Sequence, residues 1–392
     1  MPEFEVELDR VATGGQALGV GPDGRIVFVT GGLPGERVVA RPTKEHKRRI
    51  EAELVEVTQA HPARRPAPCA AVADGCGGCD WQHVHPEHQS TLRQLIVVDC
   101  LRRLAGIEEP PVEIGPTLPP TGYRTTVRAG VVAGRAGYRR RRSHDLLPVD
   151  ACLIAHPGVE ELLVDGRFGA ATEVVLRIGA RTGERLVLAS PTAEGVVVPD
   201  DVVVVGADEV DRGHPGHHHE EILGRRLRIS ARSFFQCRPD GAEALVRLVD
   251  EALGPVEGPV IDAYGGVGLF GALLGRGRPV IGVEAAASSA ADAAVNYDDG
   301  AVVHRQRVED WTPQPAAAVI ADPARSGLGK LGVERLAATD AGVFVLVSCD
   351  PGALARDAGL LLAAGYRLTG VTTVDLFAQT SHVEAVSRFE RA

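Results

Sequence analysis

The sequence predicts an α/β protein in which a doubly wound parallel sheet follows a small β-barrel and a mostly β central region. After about residue 240, short apolar runs of strand length alternate with helical patterns, which indicates a parallel sheet covered by helices. Residues 4–58 hold strand-like runs separated by glycine turns, and residues 123–230 have mostly β character. A chain of 392 residues is also long enough for two or three domains.

The first predicted domain, residues 1–60, contains runs of strand character at residues 4–8, 25–29 and 36–40. The first run alternates apolar and charged residues, and each of the other two follows a glycine-containing turn. Evenly spaced short strands indicate a small OB-like barrel, which is a common platform for nucleic acids. Residues 61–68 contain three prolines and are predicted to be a linker.

The second predicted domain covers residues 61–230. The spacing of leucine and isoleucine over residues 90–104 predicts a helix. Strands are predicted at residues 172–178, 184–189 and 195–205. The histidine-rich stretch 214–219 lies among glycine and proline. We interpret this stretch as a mobile loop, with metal binding as the less favoured alternative.

The third predicted domain, residues 231–392, carries the alternating pattern. A helix is predicted over residues 241–253, before the first apolar strand. Strands are predicted at residues 259–262, 279–284, 318–321, 343–347, 368–374 and 383–389. This order predicts a Rossmann-like sheet, which binds its ligands at the carboxyl ends of the strands.

The net charge of −10 conceals an uneven distribution. Residues 1–150 hold 20 Lys and Arg against 19 Asp and Glu, so the acidic excess lies in residues 151–392. Arg139 to Arg142 run unbroken, and residues 44–49 form a second basic cluster. Attraction to nucleic acids depends on such local patches, whereas most arginine runs are simply solvated loops.

No apolar run approaches the ~18 residues that a membrane span requires. Residues 1–10 are acidic and polar, unlike a signal peptide. The composition, with 44% hydrophobic and 24% charged residues, is that of an average globular protein. We therefore expect a cytoplasmic monomer that does not associate with membranes.

A glycine turn at residues 264–268 ends one predicted strand and opens a helix. Glycines allow a ligand to approach the backbone closely, and a helix N-terminus offers free N–H groups. Glu284 ends the next strand, nineteen residues after Gly265, where an acid can accept both ribose hydroxyls of an adenosine cofactor. A nicotinamide cofactor fits this turn too, but a hydride-transfer enzyme has no evident need for Asp322 and Pro323 after a later strand.

Two further residues have the character of a nucleophile and a base. Cys349 lies at the tip of a buried strand beside Asp350 and Pro351, and a rigid turn of this kind positions a thiolate for attack. Glu384 and His382 belong to a polar cluster just before the last strand, where they are suited to proton transfer. The alternative for both sites is a purely structural role.

Three of the seven cysteines crowd together, namely Cys69, Cys76 and Cys79, and Cys152 follows much further on. Disulfides are not expected in a reducing compartment. Four thiolates are a ligand set for one tetrahedral zinc ion or for an iron–sulfur cluster, and the spacing alone slightly favours zinc.

These motifs, in this order, resemble the RNA 5-methyluridine (uracil-C5) methyltransferases, in particular bacterial members with a TRAM barrel and an iron–sulfur cluster. The resemblance covers essentially the whole chain. It rests on Cys76-Gly-Gly-Cys79-Asp-Trp-Gln-His83, Tyr123-Arg124, Phe234-Phe-Gln236, the glycine turn, Asp322-Pro-Ala-Arg325, Ser348-Cys-Asp-Pro351 and Thr380-Ser-His-Val-Glu384.

The resemblance implies a class I methyltransferase fold and S-adenosylmethionine as methyl donor. It implies that Cys349 adds to carbon 6 of a uracil and that Glu384 then removes the proton from carbon 5. It also implies that the cofactor is contacted by Gln236, Tyr264, Gly266, Glu284 and Asp322.

The same resemblance reverses the preference for zinc, and implies a redox-inert 4Fe–4S cluster on Cys69, Cys76, Cys79 and Cys152. It favours 23S ribosomal RNA as the substrate over transfer RNA. A non-catalytic RNA-binding or ribosome-assembly factor is a further alternative, against which Cys349 and Glu384 argue. A small-molecule methyltransferase would leave the barrel and the arginine patches unexplained.

Overall fold

The computed structural model describes residues 2–275 and 277–392. Met1 and Arg276 lie outside the described residues, so the first predicted domain is observed from residue 2. Its strands are β1 (Phe4–Val11), β2 (Ala17–Val20), β3 (Ile26–Thr30), β4 (Arg37–Glu45) and β5 (Arg49–Gln59). They close into a barrel in the order β1-β2-β3-β5-β4, which confirms the predicted barrel and adds β2 and β5. Alternate residues point inward, so that Val6, Val27 and Ile50 form its apolar core.

The middle of the chain, between the barrel and the C-terminal part, contains both helices and strands. Its elements are α1 (Ala70–Ala73), α2 (Pro86–Ala105), β6 (Val112–Ile114), β7 (Thr126–Val132), β8 (Arg135–Arg139), β9 (Leu146–Pro148), α3 (Pro157–Asp165), β10 (Arg167–Phe168), β11 (Glu173–Ile178), β12 (Arg185–Ser190), β13 (Val196–Val197), β14 (Val202–Gly206), α4 (Ala207–Asp211), β15 (His217–Ile222) and β16 (Arg225–Ser230). A six-stranded sheet has the order β14-β12-β11-β7-β8-β9. The interpretation of residues 214–219 as a loop was wrong for His217 to His219, which begin β15 and pair with β16.

The C-terminal part forms the doubly wound sheet. Its elements are α5 (Pro239–Leu253), β17 (Val260–Ala263), α6 (Leu269–Leu274), β18 (Val280–Val283), α7 (Ala287–Asn296), β19 (Val302–His304), a short 3-10 helix (Val308–Asp310), β20 (Ala318–Ala321), α8 (Gly329–Ala337), β21 (Val343–Ser348), α9 (Pro351–Ala363), β22 (Tyr366–Val374) and β23 (Glu384–Arg391). The strand order is β19-β18-β17-β20-β21-β23-β22-β6. The strands from β19 to β21 are parallel, and β23 is antiparallel to both of its neighbours.

Helix α2 and strand β6 pack on this sheet, although both lie within the range predicted as the central domain. Strand β6 pairs with β22 in parallel, and Leu92 and Ile96 of α2 share an apolar cluster with Phe344 of β21. The same cluster includes Val11 of the barrel. The division into three domains stays a prediction, because these elements join the barrel and the sheet through one core.

In the described ranges, no helix has both the length and the apolar character needed to cross a membrane.

Candidate active site

The predicted site residues meet at one edge of the doubly wound sheet. The parallel strands β17, β18, β20 and β21 all end there, and the residues that follow them include Tyr264, Glu284, Asp322 and Cys349. Strand β23 runs the other way and therefore begins at this edge with Glu384. Ser348 of β21 pairs with Ala385 of β23, and the two strands are antiparallel. Cys349, which follows Ser348, therefore lies beside Glu384, which precedes Ala385.

The glycine turn after β17 forms an open cradle. Tyr264, Gly266 and Gly268 all have left-handed backbone conformations, with φ of 55°, 56° and 88°. A Cβ atom at Gly266 would meet nothing within 4 Å, so the space in front of its backbone is free for a ligand. Tyr264 adopts this conformation despite its side chain, which indicates a turn held by its surroundings.

Glu284 is fixed against this turn. Its Oε2 accepts a hydrogen bond from the backbone N–H of Gly266 at 3.0 Å, and its Oε1 accepts one from Ala286 at 2.6 Å. Each carboxylate oxygen keeps a second acceptor position. The side chain is half-buried, so those positions are available to two vicinal hydroxyl groups such as those of a ribose.

Asp262 is a site residue that the motif analysis missed. It is fully buried in β17, and its Oδ2 accepts hydrogen bonds from Gly271 N at 2.7 Å and Tyr297 Oη at 2.8 Å. Its Oδ1 has no hydrogen-bond partner among the described residues. Burial raises the pKa of Asp262 to about 7. The available signal was a carboxylate inside an otherwise apolar strand, directly before the glycine turn.

The ring of Tyr297 packs against the same glycine turn. Added Cβ atoms at Gly268 and Gly271 would each lie 2.5 Å from its ring, and one at Gly282 would lie 2.8 Å away. These three positions therefore require glycine for packing. Tyr297 itself gave no sequence signal, because it lies in a polar segment after α7.

Gln236 and Asp322 lie close to each other at this edge of the sheet. Gln236 lies between β16 and α5 and is buried, and its Nε2 donates to Asp322 Oδ2 at 3.5 Å. Tyr264 donates its hydroxyl hydrogen to Glu309 at 3.3 Å. Phe234, two residues before Gln236, is 68% exposed, which is unusual for a large aromatic side chain.

Burial and neighbouring carboxylates shift the pKa values of the nucleophile and base candidates, Cys349 and Glu384. Burial raises the pKa of Cys349 to about 12, with further increases from the nearby Glu384 and Asp322 carboxylates, while Arg325 acts in the opposite direction. Burial also raises the pKa of Glu384 well above its ordinary value, and Asp322 adds to the effect. The protein without ligand therefore holds a proton on Cys349 near neutral pH.

Cys69, Cys76, Cys79 and Cys152 line one cavity of about 30 Å³. Burial raises the pKa of Cys79 to about 12, and the neighbouring thiols contribute in the same direction. In the part of the chain that the structure describes, however, no group of three or more Cys, His, Asp or Glu is arranged to hold a metal ion. The four donors suit a soft metal.

A groove of about 620 Å³ adjoins this cavity and is lined by Cys69 and Cys152 as well. The four thiols therefore fit a metal group as a donor set.

Comparison with known proteins identifies relatives along the whole chain. An uncharacterized RNA methyltransferase of Streptomyces avermitilis is 37% identical over 429 residues, which cover 100% of this chain and 98% of that protein. Another, from Streptomyces coelicolor, is 37% identical over 428 residues, covering 100% of this chain and 93% of that protein. No protein-family model matches the chain.

Among solved structures, a similar fold occurs in the tRNA (uracil-54, C5)-methyltransferase of Pyrococcus abyssi, crystallised with S-adenosyl-L-homocysteine. The TM-score is 0.73 at 24% sequence identity, and the match covers 98% of this chain and 99% of that one. At this identity the likeness establishes the fold.

Proposed function

The chain belongs to the RNA methyltransferase family, and from this premise we propose that it methylates carbon 5 of a uridine in RNA, with S-adenosylmethionine as the methyl donor. The observation that carries the proposal is the meeting of Cys349 and Glu384, which the antiparallel β23 brings to the same sheet edge as the glycine turn. A methyltransferase acting on a nitrogen or an oxygen has no need for a thiol beside a buried carboxylate.

Carbon 5 of uracil is a weak nucleophile, and covalent addition overcomes this weakness. The thiolate of Cys349 would form a bond to carbon 6, which places the displaced electron pair in an enolate and activates carbon 5. Carbon 5 would then form a bond to the methyl group that S-adenosylmethionine supplies when bound, and the electron pair of the broken sulfur–methyl bond would leave on sulfur with S-adenosylhomocysteine. Glu384 then takes the proton from carbon 5, and the electron pair of that C–H bond restores the ring double bond as the Cys349–carbon 6 bond breaks.

The cofactor would lie along the cradle of the glycine turn. Glu284 is placed to accept the ribose hydroxyls, and the backbone at Gly266 leaves room for close approach. Gln236, Tyr264 and Asp322 would be the other side chains in contact with the cofactor. The unpartnered Oδ1 of Asp262 further supports a ligand or an ordered water behind the turn.

The RNA would approach over the barrel and the arginine run. Arg142 donates to Thr30 Oγ1 of β3 at 2.6 Å, so the arginine run and the barrel form one continuous surface. Exposed Phe234, two residues before Gln236, would offer a stacking surface for a base that has left its helix. These features favour a structured RNA as substrate over a free nucleoside.

We favour 23S ribosomal RNA over transfer RNA, which leads to the first prediction. Incubation with S-adenosylmethionine and 23S ribosomal RNA transcripts should produce 5-methyluridine, detected by nucleoside mass spectrometry. Transfer RNA transcripts should give no product under the same conditions, and transcripts with the target uridine changed to cytidine serve as the control. Product in transfer RNA alone would reassign the substrate, and absence of 5-methyluridine from both would refute the proposed reaction.

We further propose that Cys69, Cys76, Cys79 and Cys152 hold a 4Fe–4S cluster, with zinc as the alternative. Their convergence on one cavity and its adjoining groove supports this proposal. Since methyl transfer from S-adenosylmethionine consumes no electron, the cluster would stabilise the central region rather than take part in the reaction.

The second prediction tests this cluster. Protein purified without oxygen should contain about four irons per chain and show broad visible absorption. Cys76→Ser should remove most of the iron and lower the unfolding temperature. Cys100→Ser, at a buried cysteine outside the cavity, should leave the iron content unchanged. One zinc per chain without iron would contradict the cluster.

A further inference from the structure

We propose that the β-barrel has a second role, which is to fix the loop that positions Glu384. This inference rests on the proposed function, because it concerns the step that Glu384 performs. The loop in question comprises residues 375–383 between β22 and β23, and is called the base loop below. The barrel reaches it through the turn between β1 and β2 and through Asp80 and Trp81.

The inner side of the base loop is held by Arg93 of α2. Its guanidinium is almost fully buried and pairs with Asp375 Oδ1 at 2.8 Å. It also donates to three carbonyl oxygens of the loop, at 3.1 Å, 2.7 Å and 2.9 Å, on Phe377, Thr380 and His382. A buried guanidinium with these partners defines one backbone path for the loop.

The outer side of the base loop is held by the segment that follows Cys79. Asp80 accepts hydrogen bonds from Ser381 N at 2.8 Å and from Ser381 Oγ at 2.5 Å. The backbone N–H of Trp81 donates to Gln379 O at 3.0 Å. Ser381 lies three residues before Glu384, so little chain separates these contacts from the carboxylate.

The barrel completes this arrangement at Gly15. The indole Nε1 of buried Trp81 donates to Gly15 O at 3.1 Å. Gly15 has a φ of 80°, and a Cβ atom there would lie 2.5 Å from Ser381 Cβ and 2.7 Å from Trp81 Nε1. The turn of the barrel thus touches the same serine that Asp80 holds. Val11 at the end of β1 continues the contact into the core of the sheet.

Displacement of the base loop should affect one step selectively. Addition of Cys349 to carbon 6 does not require the Glu384 carboxylate, whereas removal of the carbon 5 proton does. A shift of about 1 Å in a reacting group can reduce the rate by about 100-fold. A disturbed loop should therefore slow release of the product and cause the covalent protein–RNA adduct to accumulate.

Gly15→Ala tests this coupling with matched controls in the same barrel. Gly14 and Gly24 also have left-handed backbones, with φ of 90° and 82°, but a Cβ atom at either would meet nothing within 4 Å. Gly14→Ala and Gly24→Ala therefore introduce similar backbone strain without touching the base loop. We expect Gly15→Ala to lower kcat by about 10- to 100-fold and to raise the adduct fraction on a denaturing gel. KM for S-adenosylmethionine should not change, and both control variants should match the wild type in kcat.

Asp80→Ala and Ser381→Ala provide a second test that leaves the barrel intact. Each variant should also raise the adduct fraction. The adduct fraction of the double variant should not exceed that of the more affected single variant, because both substitutions remove the same contact. If Gly15→Ala and Asp80→Ala match their controls in kcat and adduct fraction, the coupling is refuted. Loss of adduct formation together with weaker S-adenosylmethionine binding would also refute it, in favour of a general structural role. Absence of 5-methyluridine and of any adduct in the wild type would instead refute the proposed function.

Discussion

Cys349→Ala should abolish methyl transfer and leave the binding of S-adenosylmethionine intact. The loss should be on the order of 10⁴-fold or more, as expected when a covalent nucleophile is removed. Binding should persist because the glycine turn and Glu284 follow β17 and β18, whereas Cys349 follows β21. Nucleoside mass spectrometry measures the first effect, and isothermal titration calorimetry measures the second.

Cys237→Ala is the matched control for this variant. Cys237 is a buried thiol next to Gln236, and its environment also includes Glu384, so it is the other cysteine close to the reacting groups. We expect this variant to retain methylation. RNA with 5-fluorouridine at the target should trap the wild type as a covalent adduct, because fluorine does not leave as a proton does. Trapping that survives in Cys349→Ala would show that another residue is the nucleophile.

The positions of Asp322 and Cys349 followed from local sequence because each directly follows a short buried strand. Residues 318–321 and 343–347 were predicted as strands, and the structure has Ala318–Ala321 and Val343–Ser348. Since parallel strands of such a sheet present their carboxyl ends to one edge, Asp322 and Cys349 had to lie near each other. The direction of β23, which adds Glu384 to that edge, is a property of the whole sheet and was not evident from its own residues.

Long-range pairing explains what local patterns could not predict. Arg93 lies in a helix, but its buried charge is compensated by Asp375, which is 282 positions away. His217 to His219 form a strand only because β16 pairs with them, and His218 is thereby buried while its flanking glycines and proline suggested a loop. The packing of α2 and β6 on the sheet could not be predicted for a similar reason, since β22 and α9 provide the surface on which they pack.

The cysteine cluster is an intermediate case. The sequence grouped Cys69, Cys76 and Cys79 with the more distant Cys152, and the resemblance changed the preferred metal group from zinc to an iron–sulfur cluster. The structure places all four on one cavity, while the orientation of their side chains does not form a metal site within the described residues. Ligand identity follows from residue type and spacing, but side-chain rotation around a metal depends on the metal itself.

Glu384→Gln should stop the reaction at a later stage than Cys349→Ala does. The glutamine has nearly the same shape and remains neutral, so addition of Cys349 and methyl transfer can proceed, but the carbon 5 proton has no acceptor. A covalent adduct between the protein and target RNA with an ordinary uridine, without 5-fluorouridine, should therefore accumulate and appear as a slowly migrating band on a denaturing gel. Turnover to free 5-methyluridine should fall by at least about 100-fold.

The pH dependence of turnover and of adduct formation distinguishes the role of Cys349 from that of Glu384. Burial and the neighbouring Asp322 raise the pKa of Glu384, and burial raises the pKa of Cys349 to about 12. Both groups act in their deprotonated forms, so turnover by the wild type should increase as the pH rises above neutrality. In Glu384→Gln the repulsion that the Glu384 carboxylate exerts on the Cys349 thiolate is gone, so adduct formation should increase at lower pH than in the wild type. If Glu384→Gln released free 5-methyluridine at the wild-type rate, Glu384 would not be the base, and the carboxylate of Asp322 would be the next group to test.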